Sequence, residues 1–411
     1  MSVILVFAFF IGLFTRRRIF CQYVEIISDS ENSELTTFTE LYMQLPAMPV
    51  PKEGGGRGGS CRQSVDGCKI NKGVSVLKKL VALTLLLVFV VVVAGCGGSS
   101  KPAADKAEYK ATMKLTSTQT KDHPYNVGAQ KFADLIKERT NGRIQVTIYP
   151  DSQLGKGERE MLEGLQQGTI DIYVGSTGPV GNFSPSMNIL DIPFIFRDNA
   201  HVDKVLDGPI GQKLLADLEK ANLIGLAFWE NGFRNLSNSR NAVVKPEDGK
   251  GLKIRVMENK VHLLAWKTAG LNPTPMAWGE VYPALQQKVI DGQENPIAVI
   301  YASKMYEVQK FLSLTGHVYS PAPMIISKKR WDQMPKADQE IFRKTAMEVA
   351  QFQRKVNRDA EEAKIKEMEA KGFNVTRNVD KAAWQKAMQP AFDEFAKEFG
   401  KDNIDAIINT K

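Results

Sequence analysis

No cysteine follows Cys96 in this chain of 411 residues, and there are only four in all. Everything downstream therefore folds without disulfides. Cys21, Cys61, Cys68 and Cys96 match no zinc spacing, and no histidine lies near them to complete a site. Histidine is as scarce. His123, His201, His262 and His317 form no HExxH and no other close pair able to hold a metal. No GxSxG elbow occurs, nor a GxxxxGK[ST] loop, nor a GxGxxG between a strand and a helix. With no nucleophile, metal or phosphate-loop constellation, a non-enzymatic protein without a cofactor is expected. Long basic runs are missing too: the formal charge of +8 is scattered apart from Arg16-Arg17-Arg18 and Lys328-Lys329-Arg330. Without aromatic residues alternating with bases, a nucleic-acid groove is excluded. What remains, 43% apolar and 24% charged, is ordinary for a soluble globular protein long enough for two domains.

One segment bears on the compartment. Lys78-Lys79 precedes an apolar run from Leu80 to Val93, followed by Ala94-Gly95-Cys96. A short positive region, an apolar stretch and small residues make a secretory signal, here residues 74–95. The run is short for a permanent bilayer span. The cysteine after Val93-Ala94-Gly95 resembles the lipobox of bacterial lipoproteins, which implies cleavage before Cys96 and acylation of it. Residues 96–108 then read as a lipidated cysteine and flexible tether, which places the protein outside the cytoplasm, lipid-anchored at Cys96. Residues 1–73 fit poorly ahead of a signal. Translation is expected to start near Val74 or Val76, with a disordered extension or an extra membrane anchor as the alternatives.

Downstream, strand and helix patterns alternate. Tyr109 to Thr116 and Ile144 to Tyr149 alternate as strands, and Asn126 to Arg139 has helical spacing closed by Thr140-Asn141-Gly142. Glu158 to Gln167 reads as a helix stopped by Gly168, and Ile170 to Val174 as a short buried strand. Leu223 to Trp229 and Leu252 to Met257 read as strands, and Lys260 to Ala269 as a helix. This predicts α/β layers with mostly parallel pairing. Pro335 opens a helical stripe running to about Ala370, roughly 54 Å at 1.5 Å per residue. Such a helix outgrows one small domain, so it bridges two or leaves one as a coiled coil.

Lys253-Ile254-Arg255-Val256 sets an arginine in an otherwise apolar strand. An uncompensated guanidinium there is costly, so it must find a partner. A ligand carboxylate suits its planar fork through two charge-assisted hydrogen bonds. An internal ion pair, or an outward-pointing arginine, fits the same pattern. Both readings stay open at this point.

Around that strand lie Asn272-Pro-Thr-Pro-Met-Ala-Trp-Gly-Glu-Val-Tyr-Pro-Ala-Leu-Gln-Gln and Asp291-Gly-Gln-Glu-Asn-Pro296. With Tyr149-Pro-Asp-Ser-Gln-Leu-Gly155, Asp191-Ile-Pro-Phe194 and Tyr306-Glu-Val-Gln-Lys-Phe311, they resemble the TRAP (tripartite ATP-independent periplasmic) transporter solute-binding proteins of the DctP family, from about residue 110 to the C-terminus. The resemblance implies a two-domain periplasmic-binding-protein-like α/β fold with mixed sheets, a hinge cleft and a long helix spanning both domains. The expected division is 110–230 plus 321–360 for the first domain and 231–320 plus 361–411 for the second. It also implies a small organic acid as ligand, a C4-dicarboxylate or a sugar acid, and a two-subunit membrane permease as partner. Arg255 falls on the family's carboxylate-binding arginine, Asn295 on the asparagine that orients it, Arg234 on a second arginine and Trp278 on an aromatic that stacks on the ligand. Ligand contacts from the first domain fall on His123, Glu158 and Ser176, with Thr118 and Gly175 beside them, and Glu258 joins from the second. His123, before Pro124 in an exposed-looking turn, reads more as a surface histidine than as a ligand contact. Gly175 and Gly178, where sialic-acid binders carry a glutamate and an arginine, argue against sialic acid. His201, His262 and His317 read as structural. A sensor subunit of the same fold, feeding a signalling receptor, is the alternative function.

Overall fold

A computed structural model describes residues 108–411. The expectations for residues 1–73, the signal segment, Cys96 and most of the tether lie outside the described residues. Within them no helix is long and apolar enough to cross a membrane.

One nine-stranded sheet organises the chain. Its strands are β1 (Ala111–Thr116), β2 (Ile144–Tyr149), β3 (Ile172–Val174), β4 (Leu223–Asn238), β5 (Lys253–Val256), β6 (Asn272–Pro275), β7 (Gly292–Pro296), β8 (Phe311–Ser327) and β9 (Asn374–Thr376). The order is β2-β1-β3-β8-β4-β7-β5-β6, with β9 beside β8. Five of the eight strand pairs are parallel, as expected, β9 beside β8 among them, but the centre of the sheet is antiparallel. β4 runs antiparallel to both β7 and β8, and β3 is antiparallel to β8. The parallel sets β2–β1–β3 and β7–β5–β6 occupy the two ends. These ends form two lobes, and the long antiparallel pair β4–β8 joins them.

Helices cover the sheet. The ones that matter for the site are α1 (Pro124–Arg139), α2 (Glu158–Gln167), α3 (Lys260–Thr268), α4 (Trp278–Gln286) and α5 (Lys336–Ala370). Pro124 opens α1 at a position where its missing N–H costs nothing. Asn141 and Gly142 then turn the chain through positive φ, as the sequence predicted. Gly168 ends α2 in the same left-handed conformation. The long helix bridges the lobes as expected. Its Phe342, Ala346 and Val349 enter a core with α1 and β1, while Ile365 and Met368 enter another with α4 and Leu312 of β8. Between those apolar ends it turns a polar stretch toward β4.

Candidate ligand-binding site

The middle of β5 places Arg255 between Ile254 and Val256, both fully buried. Arg255 as a whole is only 2% exposed. Nε donates to the Met276 carbonyl at 2.9 Å, and the ring of Trp278 lies 5.7 Å from the guanidinium carbon. No carboxylate among the described residues comes within ion-pairing distance of it. Burial pushes its pKa down to about 10, with Glu158 opposing that shift, so it stays a cation at neutral pH. Arg255 is thus a buried charge held by one backbone bond, its two terminal nitrogens left over.

The other predicted residues divide into groups. Asn295 is no turn former: it lies in β7, buried, on the face Arg255 shares with Gln293. Gln293 accepts from the Asn295 amide and donates to Ser237, which donates to Gln309. That chain of hydrogen bonds fixes the Asn295 rotamer. Arg234 is directed elsewhere. Its Nε and Nη2 both grip the Glu294 carboxylate, and both side chains are fully buried. Burial alone would raise the Glu294 carboxyl, but Arg234 and His317 outweigh it and hold it well below the usual range. Arg234 supports the site wall, and only its Nη1 remains without a partner.

From the other lobe, Glu158 stands buried at the first turn of α2, where the helix N-terminus favours a carboxylate. Thr118 donates to it at 3.4 Å. Burial raises its pKa, and Arg255 opposes this from across the site. His123 corrects an expectation, since it is not a surface residue but only 1% exposed. It caps α1, its Nδ1 accepting from the Tyr125 N–H at 3.2 Å. A histidine before a proline reads as a turn, and the sequence does not show that the turn is covered. Ser176, past the end of β3, accepts from Asn231 at 2.8 Å. Glu258 is half-buried, and its carbonyl accepts from Asn182 at 2.7 Å. His262 and His317 are structural, as read: both lie against Glu294, and His317 Nε2 is 3.0 Å from it.

The two lobes meet at this site. Gly279 N–H donates to the Lys156 carbonyl at 3.2 Å, and Asn259 donates to the Gly178 carbonyl at 3.1 Å. A Cβ on Gly178 would strike Met257 at 2.6 Å, so glycine here lets the lobes approach. Sequence reading missed Gln119, Tyr125, Tyr173 and Asn231, whose polar ends are buried near the same place. Tyr173 sits between Ile172 and Val174 and Tyr125 follows the His123-Pro124 turn, so neither carried a signal. No group of three or more metal-ligating side chains occurs among the described residues.

Comparison with known proteins gives the family. The profile for the bacterial extracellular solute-binding proteins, family 7 (DctP), matches residues 115–398. A solute-binding protein of Verminephrobacter eiseniae is 44% identical over 302 residues, 73% of this chain and 90% of that protein. The 2,3-diketo-L-gulonate-binding periplasmic protein of Escherichia coli is 41% identical over 285 residues, 69% of this chain and 87% of its own. Among solved structures, a TRAP periplasmic solute-binding protein from Polaromonas bound to D-erythronate superposes with a TM-score of 0.72. It is 48% identical and covers 74% of this chain and 99% of its own. These relatives are binding proteins of transport systems and not enzymes. The chain belongs to the DctP family of TRAP-type extracellular solute-binding proteins, whose members bind small organic acids.

Proposed function

We propose that the protein captures a small organic acid, a C4-dicarboxylate or a sugar acid, through a salt bridge between its carboxylate and Arg255, and delivers it to a membrane permease. The observation that carries this is the buried guanidinium without a counterion. An uncompensated charge in such a place is costly, and a carboxylate presented to its two free nitrogens removes that cost. Trp278 lies where it would flank the ligand body, and Asn295 would hold the carboxylate's second oxygen. Relatives whose ligands are 2,3-diketo-L-gulonate and D-erythronate support an organic acid. Export and acylation at Cys96 belong to the same reading and rest on the segment from Lys78 to Cys96; the intact mass of the processed protein checks them. No observation favours the sensor alternative.

Each charge-assisted bond contributes about 1.5–3 kcal/mol, so a bidentate pair supplies much of the roughly 8 kcal/mol behind micromolar binding. Arg255→Ala is therefore expected to abolish calorimetrically detectable carboxylate binding while the fold survives. Micromolar binding retained by that variant would remove Arg255 from its role.

A further inference from the structure

Six buried polar atoms around the first-lobe end of the site have no hydrogen-bond partner among the described residues: Gln119 Oε1, His123 Nε2, the hydroxyls of Tyr125 and Tyr173, Asn231 Oδ1 and Arg234 Nη1. Native proteins leave few such groups, and each one calls for an explanation. These six belong to one neighbourhood. The His123 and Tyr125 rings pack edge to face at 4.6 Å. The Tyr125 hydroxyl lies toward Ser176, which is itself bonded to Asn231. Gln119 donates to Thr118, which donates to Glu158. Both phenols feel the Glu158 carboxylate.

We infer that this cluster reads the hydroxyl groups of the ligand's tail, so that the protein selects a polyhydroxylated monocarboxylate and rejects dicarboxylates. This rests on the reading of Arg255 as the carboxylate anchor and decides between the two ligand classes left by it. Donor and acceptor identities carry the argument. Because His123 Nδ1 accepts from Tyr125 N–H, the imidazole proton sits on Nε2, which is a donor. Burial keeps that imidazole neutral, with Lys364 adding to the effect, and keeps both phenols protonated. The cluster therefore mixes the neutral donors His123 Nε2 and the two phenols, and an Arg234 Nη1 whose charge is already matched by Glu294, with the acceptors Asn231 Oδ1, Gln119 Oε1 and Glu158. A hydroxyl is donor and acceptor at once and can satisfy both kinds. A second carboxylate only accepts. It would leave the acceptors unpaired and would face the Glu158 charge. The cation felt at His123, Lys364, has Glu361 and Glu367 beside it on α5. Gly175 belongs to the design as well: a Cβ there would lie 2.0 Å from the Tyr173 hydroxyl, so glycine lets the phenol reach the strand end.

The test is calorimetric titration of the protein with D-erythronate, D-galactonate, succinate and butyrate, repeated on Tyr125→Phe, Tyr173→Phe and Arg255→Ala. Loss of a hydroxyl that a site is built to bind is heavily penalised. At least one of the two aldonates should bind at least about a hundredfold more tightly than succinate or butyrate. Each phenylalanine variant should weaken that aldonate about tenfold, with its Tm unchanged. Succinate binding as tightly as the better aldonate, or phenylalanine variants that bind aldonates unchanged, would overturn the inference while an Arg255→Ala loss leaves the anchor standing. Carboxylate binding that survives Arg255→Ala overturns the anchor, and this inference with it.

Discussion

Glu294 lies on β7 between Gln293 and Asn295, fully buried, with Arg234, His317 and His262 around its carboxylate. A pair this deep adds little net stability when intact, but removing one partner strands the other as a buried charge. Glu294→Gln is therefore expected to cost about 3–5 kcal/mol at pH 7, read from urea unfolding. A variant as stable as the parent would show that Arg234 does not depend on its partner. The sign with pH follows from the depressed carboxyl. A carboxylate held below its unfolded value contributes fully above about pH 4.3, and the contribution is lost as pH falls through the folded value. The parent should lose stability progressively in acid below about pH 4, whereas the glutamine variant lacks that component and its acid profile should be flatter.

β4 and β8 carry the connection between lobes, and α5 grips β4 at an irregularity in their pairing. Register shifts between Glu230 and Gly232, where Gly232 has φ +118. Gln353 bonds both backbone groups of Glu230, while Asn357, Arg358 and Tyr319 bond its carboxylate. An alanine at Gly232 would hold a φ that side chains avoid, with its Cβ 3.3 Å from Asn357 Nδ2. Gly232→Ala is expected to cost about 1–3 kcal/mol, seen as a lower Tm; an unchanged Tm would mean the bulge is not constrained. This junction was also where the sequence was hardest to read. α5 announced itself by its apolar stripe, and its start lies one residue from the expected one. β4, by contrast, was expected to stop at Trp229 but runs to Asn238. Its continuation through Glu230-Asn231-Gly232 has no alternation, because its partners lie over a hundred positions away on α5. β8 gave no strand signal, since Pro321 and Pro323 argue against a central strand. They are tolerated because β3 pairs with β8 only from Met324 to Ile326, leaving that side of both prolines without a ladder neighbour. Arg255 was legible from its motif. Its lack of an internal counterion depends on the tertiary fold, as does the burial of His123.

At the scale of the whole molecule, a ligand enclosed between two lobes must enter through their separation, so binding and lobe motion are coupled. The contact between Gly157 and Ala277 offers a way to measure that coupling. A Cβ on Gly157 would lie 3.3 Å from the Ala277 Cβ, close to the spacing a disulfide spans. Gly157 caps α2 in an extended conformation that other residues adopt freely, so cysteine there carries no backbone penalty. The pair Gly157→Cys and Ala277→Cys should therefore oxidise readily and fasten the lobes together, and no other cysteine follows Cys96 to compete. Oxidised before ligand is added, the protein should bind at least about tenfold more slowly, because the open state that admits ligand is removed from the equilibrium. Oxidised after loading, it should release ligand more slowly by a similar factor, since the same opening governs exit. Reduction should restore both rates, which separates the crosslink from any effect of the substitutions themselves. Stopped-flow tryptophan fluorescence, with Trp278 beside the site, reads association and dissociation directly. Unchanged rates in the fully oxidised protein would mean that ligand reaches Arg255 without separating the lobes at this contact.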